Sequence, residues 1–367
     1  MNKFLSQKFK FFLFVSILLV VAIHGYNLNE TYLQPFSVVN ERISLTTFLE
    51  YWLANGIFRF VVPLLFLISG YLFSYGDSVS YGIRIKKKFK SLFLPYLIWS
   101  AIALLLTYCL QGNSLTKQSV IDAHLDQLGD NRSYDLLGWS NLLLRWTLFP
   151  IAFQLWFVRC LFVYNLASPL IMNALNNAPK IWFGVCAFLW IVTFGTPLFE
   201  AEGLLFFSLG IQIQKTGFNI ESPDKYLKPK IWLVILLLST FSKTMLAFYL
   251  NGGFESFVIL SLLHKISVIA ALIVVWFGGN NIVTFFMNKQ WFYRISSYSF
   301  IIYVIHVPLI NYFTRFIFIH LYHFSLFRLT AFVCIPIIMI LFSLIFGIIF
   351  KKVTPKLYGI FTGGRGF

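Results

Sequence analysis

His24, in LLVVAIHGYN, and His306, in SFIIYVIHVPLI, are titratable side chains inside runs that are otherwise apolar. Arg59, Arg159, Lys243 and Lys265 share this placement. Ionisable groups are expensive in a bilayer and mark functional sites there. Histidine exchanges protons near neutral pH, and guanidinium or ammonium groups hold anions or stabilise developing negative charge. No carboxylate lies deep in these apolar runs, so an anionic ligand is the expected counter-charge. Each residue alone has a plainer reading. Arg59 could snorkel outward, Arg159, Lys243 and Lys265 could be structural or interfacial, and each histidine could be a core residue bonded to a helix carbonyl. Their common depth argues for one purpose. His24 lies 14 residues after Lys10, about 21 Å along a helix. The others fall between the midplane and the same outer interface.

His306 shares a helix face with Ser299 and Tyr303, at spacings of i, i+4 and i+7, and Ser296 extends the row. A polar stripe on a helix of Ile, Val and Phe faces a cavity or another helix. Pro308 follows His306 by two residues, so a kink or a freed carbonyl is expected there. Pro63 stands four residues after Arg59, and Ser69-Gly70 then allow close approach of a neighbouring helix.

The elements that must carry these residues are membrane spans. The 367 residues are 59% hydrophobic and 11% charged, with a mean hydropathy of +0.78. Soluble domains carry about 25% charged residues. The expected fold class is therefore all-α: a polytopic helix bundle forming a single integral membrane domain over 1–367. Ten spans are placed at 9–27, 56–75, 91–110, 152–172, 181–197, 202–214, 231–250, 256–277, 295–316 and 327–350. The fifth and sixth are a candidate re-entrant pair. With the N-terminus in the cytoplasm, inner segments hold most of the lysines, including the 84–90 stretch. Outer segments hold only Arg42, Lys117, Arg132, Arg145, Arg315 and Arg328. This asymmetry gives an N-in/C-in topology with long outer loops at about 28–55 and 111–151. The N-terminal stretch resembles a signal peptide but lacks a small-residue cleavage site, and it is read as a retained first span. The net charge of +16 punctuates apolar runs and builds no basic face, which argues against nucleic acid. Cys109, Cys160, Cys186 and Cys334 show no ligand spacing, so neither a disulfide nor a metal site is expected.

The ordered pieces VAIHGYN, RFVVPLLFLISGYLF, KSLFLPYLIW, QLWFVRCLFVYNLASPL, LLFFSLGIQIQK and ISSYSFIIYVIHVPLI resemble the acyltransferase-3 family of integral membrane acyltransferases, over nearly the whole chain. The resemblance implies acyl transfer, commonly acetyl from acetyl-CoA, to a hydroxyl of a sugar or surface glycan in the cell membrane. It places a catalytic histidine at His24, the arginine before the VPLxFxxSGY pattern at Arg59, and the C-terminal YxxH at Tyr303 and His306. Many members carry an arginine eleven residues before the first histidine. Leu13 stands there in this chain, with Lys10 one turn earlier as a substitute.

Acyl transfer to a hydroxyl needs a base, an aligned thioester donor and positive charge for the oxyanion. His24 is assigned as the base, with Arg59 and His306 beside it as catalytic candidates. Arg159, Tyr303, Ser299, Lys243 and Lys265 are assigned to donor and substrate binding. Acyl-CoA enters as a co-substrate, and no permanently bound cofactor is expected. Ten spans with internal charges also describe a transporter or flippase for a glycan or lipid-linked sugar. The lack of an inverted repeat and of an intramembrane carboxylate counts against it.

Overall fold

A computed structural model describes residues 2–28, 34–76, 79–129, 133–321, 324 and 326–366. Parts of both expected outer loops, Arg132 among them, lie outside the described residues. The fold is helical, as expected. Among the described residues, seven helices are long and apolar enough to cross a membrane: Lys3–Ile23, Leu45–Tyr75, Tyr81–Gln111, Pro229–Tyr249, Phe254–Gly278, Gln290–His320 and Phe327–Val353. The broken pair Phe153–Leu166 and Ser168–Asn177 makes an eighth if it is one span. The chain is thus a multi-pass membrane protein. The expected fifth and sixth spans are helices Pro179–Ile191 and Ala201–Thr216, of 13 and 16 residues. At 1.5 Å per residue the first reaches only about 20 Å, short of the roughly 30 Å hydrocarbon thickness.

The residues form two compact units. One comprises Met1–Ser78, Pro169–Gly195 and Glu200–Ser296; the other comprises Val79–Ser168, Thr196–Phe199 and Ser297–Phe367. In the first unit, helix Pro229–Tyr249 is polar inside and apolar outside. Leu238 is 63% exposed, whereas Thr240, Lys243 and Thr244 are fully buried. Such inversion suits a helix whose outer face meets lipid. Helices Val61–Tyr75 and Ala201–Thr216 pack closely where Gly70 faces the Phe207 carbonyl and Gly210 faces the Leu67 carbonyl. This is the close approach expected of Ser69-Gly70.

Not all of 28–55 is loop. Ser44 caps helix Leu45–Glu50 in a reciprocal arrangement with Thr47, with hydrogen bonds of 2.8 and 3.2 Å. The helical path then runs on through a π-turn, Tyr51–Gly56, and a 3₁₀ turn, Ile57–Phe60, into Val61–Tyr75.

In the second unit, the 111–151 segment holds helices Lys117–Asp122 and Trp139–Thr147. Arg145 donates from Nε and Nη2 to Asp126 Oδ2, at 2.9 and 2.7 Å, with both side chains at most 5% exposed. Burial, and after it the nearby Asp126 charge, pushes the Tyr134 phenol above its usual range. Removing one member of such a buried pair strands the other charge, at a cost of about 3–5 kcal/mol. Asp126→Ala is therefore expected to lower the unfolding midpoint of the purified protein strongly, as read by thermal melting in detergent. An unchanged midpoint would show that the pair does not hold this segment.

Candidate functional site

Arg59 sits where the helix is irregular. Pro63 has no amide hydrogen to offer the Arg59 carbonyl, so regular helix begins only around Val61. The π-turn before it presses on helix Pro229–Tyr249: Trp52 Nε1 donates to Thr240 Oγ1 at 3.1 Å, and Gly56 lies against Thr240. The turn turns the Asn55 carbonyl toward Lys243, whose Nζ donates to it at 2.5 Å. Arg59 donates to the Asn55 side chain, from Nε at 2.9 Å and also from Nη2. Asn55 therefore ties two of the expected cations together. Turns of this kind recur at functional sites.

Lys265 and its neighbour His264 project from helix Phe254–Gly278 and are about 95% buried. Lys265 Nζ donates to Ser261 Oγ at 2.7 Å and stands 5.7 Å from the Trp190 ring. Trp190 Nε1 donates to Glu202 Oε2 at 2.8 Å, and the same oxygen lies 3.9 Å from His264 Nε2. Glu200 caps helix Ala201–Thr216 through the Gly203 amide, at 2.8 Å. The charges of Lys265, Arg59 and Lys243 all bear on Glu202.

The expectation that no carboxylate faces the basic residues is thus overturned. Glu202 and Glu200 precede the apolar run that forms their helix, and the fold carries them to residues some sixty positions away. The FEAEG stretch held the signal, since acidic residues favour a helix N-terminus. Glu50 was also placed in a loop, yet it is fully buried and accepts from the Asn27 amide at 3.2 Å.

His24 follows the last residue of helix Lys3–Ile23 and is half-buried. Asn27, which meets Glu50, lies three residues on. His24, Arg59, Lys243 and Lys265 all belong to the first unit. Arg159, Ser299, Tyr303 and His306 belong to the second.

In that second unit Arg159 donates to the Tyr96 hydroxyl at 3.2 Å and to the Leu148 carbonyl. Tyr96 itself donates to the Thr147 carbonyl at 2.7 Å. Arg159 and Tyr96 thereby satisfy carbonyls at the C-terminal end of helix Trp139–Thr147, where positive charge is favoured.

Tyr303 donates to the Gln154 carbonyl. Gln154 answers with its amide, which donates to the Val307 carbonyl at 3.1 Å. That carbonyl is available because Val307, just before Pro308, has non-helical angles (φ −107°, ψ 133°). The break expected from Pro308 is present, and Gln154 is its partner. Nothing in the spacing of QLWFVRC marks Gln154 for this contact. His306 is fully buried with Nδ1 3.2 Å from the Ile302 carbonyl, the contact of a core histidine. Ser299 is half-buried at the start of its helix.

A family model described as an acyltransferase domain matches residues 9–350. The chain belongs to the acyltransferase-3 family. Succinoglycan biosynthesis protein ExoH of Rhizobium meliloti (strain 1021) is 28% identical over 326 residues, covering 86% of this chain and 82% of its own. No solved structure matches the chain at the same stringency. Membership makes the protein an acyltransferase. It also replaces the carboxylate argument against a transporter, which Glu202 removes. Lys10, one turn before Leu13, has its amine 3.3 Å from the centre of the Tyr293 ring.

Proposed function

We propose that this acyltransferase moves an acyl group, acetyl from acetyl-CoA, onto a sugar hydroxyl of a polysaccharide or its precursor at the cell membrane. The observation that carries this reading is the buried cationic set around the irregular turn, where Arg59 and Lys243 share Asn55. The similarity to a protein of succinoglycan biosynthesis supports a glycan acceptor. The inward basic segments support entry of the CoA donor from the cytoplasm.

In the reaction the acceptor hydroxyl attacks the thioester carbonyl while His24 takes its proton. The tetrahedral oxyanion collapses, the C–S bond breaks, and the thiolate leaves and takes up a proton. The Arg59 guanidinium stabilises the oxyanion or the donor's negative charge.

Arg59→Ala removes a cation from the set and frees the Asn55 side chain. Losing one oxyanion donor costs enzymes about 10²–10³ in kcat. A fall of that order, or an equal rise in the acetyl-CoA KM, is expected from steady-state kinetics of purified protein. Normal acetyl-CoA kinetics would remove Arg59 from the site. The reading as a whole is tested by incubating the purified protein with labelled acetyl-CoA and a de-acylated polysaccharide, and looking for label on the glycan.

A further inference from the structure

The cluster Trp190, Glu202, His264 and Lys265 has no part in the mechanism above. Helix Pro179–Ile191 brings Trp190, helix Ala201–Thr216 brings Glu202, and helix Phe254–Gly278 brings His264 and Lys265. Glu202 faces His264 Nε2 at ion-pair distance, 3.9 Å. A carboxylate on that side favours the tautomer with its proton on Nε2, which leaves Nδ1 as an acceptor. Nδ1 is buried and has no hydrogen-bond partner among the described residues. The charges of Lys243, Arg59 and Lys265 bear on His264. A stranded buried polar atom is costly, and a ligand recovers that cost when it bonds it.

A hydroxyl can donate to Nδ1, whereas an anion has no proton to give it and meets Glu202. The cations here already face two carboxylates, since the charges of Glu202 and Glu200 both bear on Lys265. The cluster therefore suits a neutral, hydroxyl-rich ligand better than a polyphosphate.

We propose that His264, positioned by Glu202, is part of the subsite for the acceptor sugar and bonds a sugar hydroxyl through Nδ1. This rests on the acyl-transfer reading and names where that reaction takes its acceptor. His264 touches the sugar; Glu202 is a positioning residue.

The test uses the full chain in detergent, acetyl-CoA as donor and de-acylated succinoglycan fragments as acceptor. His264→Gln and Glu202→Gln are expected to raise the acceptor KM about tenfold, the size of one lost hydrogen bond. The acetyl-CoA KM should stay within about twofold, and Glu202→Asp should recover part of the loss. A shift in the acetyl-CoA KM alone, or in neither constant, overturns the assignment. A second measurement needs no variant. Hydrogen exchange of the wild-type protein should slow in peptides around Glu202 and His264 on adding the fragments, and not on adding coenzyme A. The reverse pattern, or no protection by either, also overturns it. Protection by the fragments without any acetyl transfer would contradict the reaction and support the subsite.

Discussion

Replacing His24 with alanine is expected to lower acyl transfer by about 10²–10⁴-fold, the usual worth of a positioned general base, and to leave the protein folded and inserted. The two effects separate because of where His24 stands. It follows the last helical residue, and its contribution to ending the helix is made by its backbone, whose amide donates to the Val20 carbonyl at 3.2 Å. Alanine keeps that bond. The side chains that anchor the first helix lie earlier: Phe9, Phe12, Phe14 and Val21 are each at most 3% exposed. Truncating a half-buried ring beyond them removes little packing. Melting temperature and elution volume should therefore match wild type while turnover collapses. His24→Gln keeps much of the size but cannot take the proton, and it should be as inactive as alanine. If either variant transfers acyl groups at a near-native rate, His24 is not the base.

Gly70→Val is expected to disrupt the first unit itself. A Cβ at Gly70 would overlap the backbone carbonyl of Phe207, and the facing Gly210 meets the Leu67 carbonyl in the same way. Neither obstacle is a flexible side chain that can move aside, so the helices must separate. Overpacking of ordinary cores costs about 1–3 kcal/mol, and a clash with backbone should sit at or above the top of that range. Activity should fall as well, because helix Ala201–Thr216 begins at the turn that places Glu200 and Glu202. Reduced yield of monodisperse protein and a lowered melting temperature are the readouts. Wild-type melting in Gly70→Val would show that the two helices do not need this contact.

Features that depend on local chemistry were legible in the sequence. Apolar run length placed the long helices, and Pro308 announced the break that frees the Val307 carbonyl. Gly70 announced the tight helix contact. Where the reading failed, the cause was tertiary. Glu202 stands at the edge of an apolar run, and nothing local tells that the fold turns that edge toward His264 and Lys265. Glu50 looked like loop because the polar stretch before Ala54 hides a helix, although Ser44 and Thr47 spell its start. Span number failed to resolve because Pro179–Ile191 has the composition of a span without the length. The six intramembrane candidates also looked like one set by depth alone. Folding assigns His24, Arg59, Lys243 and Lys265 to one unit and Arg159 and His306 to the other, a distinction that linear spacing does not carry.

The cationic set also reads differently once the carboxylates are in place. Without them, every positive charge called for an anionic ligand. With Glu202 beside His264, part of the set is already compensated, and the demand for an anion falls on fewer residues. Arg59 is the one whose loss should be felt most in donor kinetics.

The most direct test is acetyl transfer by purified protein. Wild type and His24→Ala are each incubated with acetyl-CoA carrying a labelled acetyl group and with a de-acylated polysaccharide, and the glycan is recovered and analysed by mass spectrometry. The expected result is labelled O-acetyl ester on sugar hydroxyls with wild type, and at least a hundredfold less with His24→Ala. Unmodified glycan with folded wild-type protein, or equal labelling by the two proteins, would contradict the account.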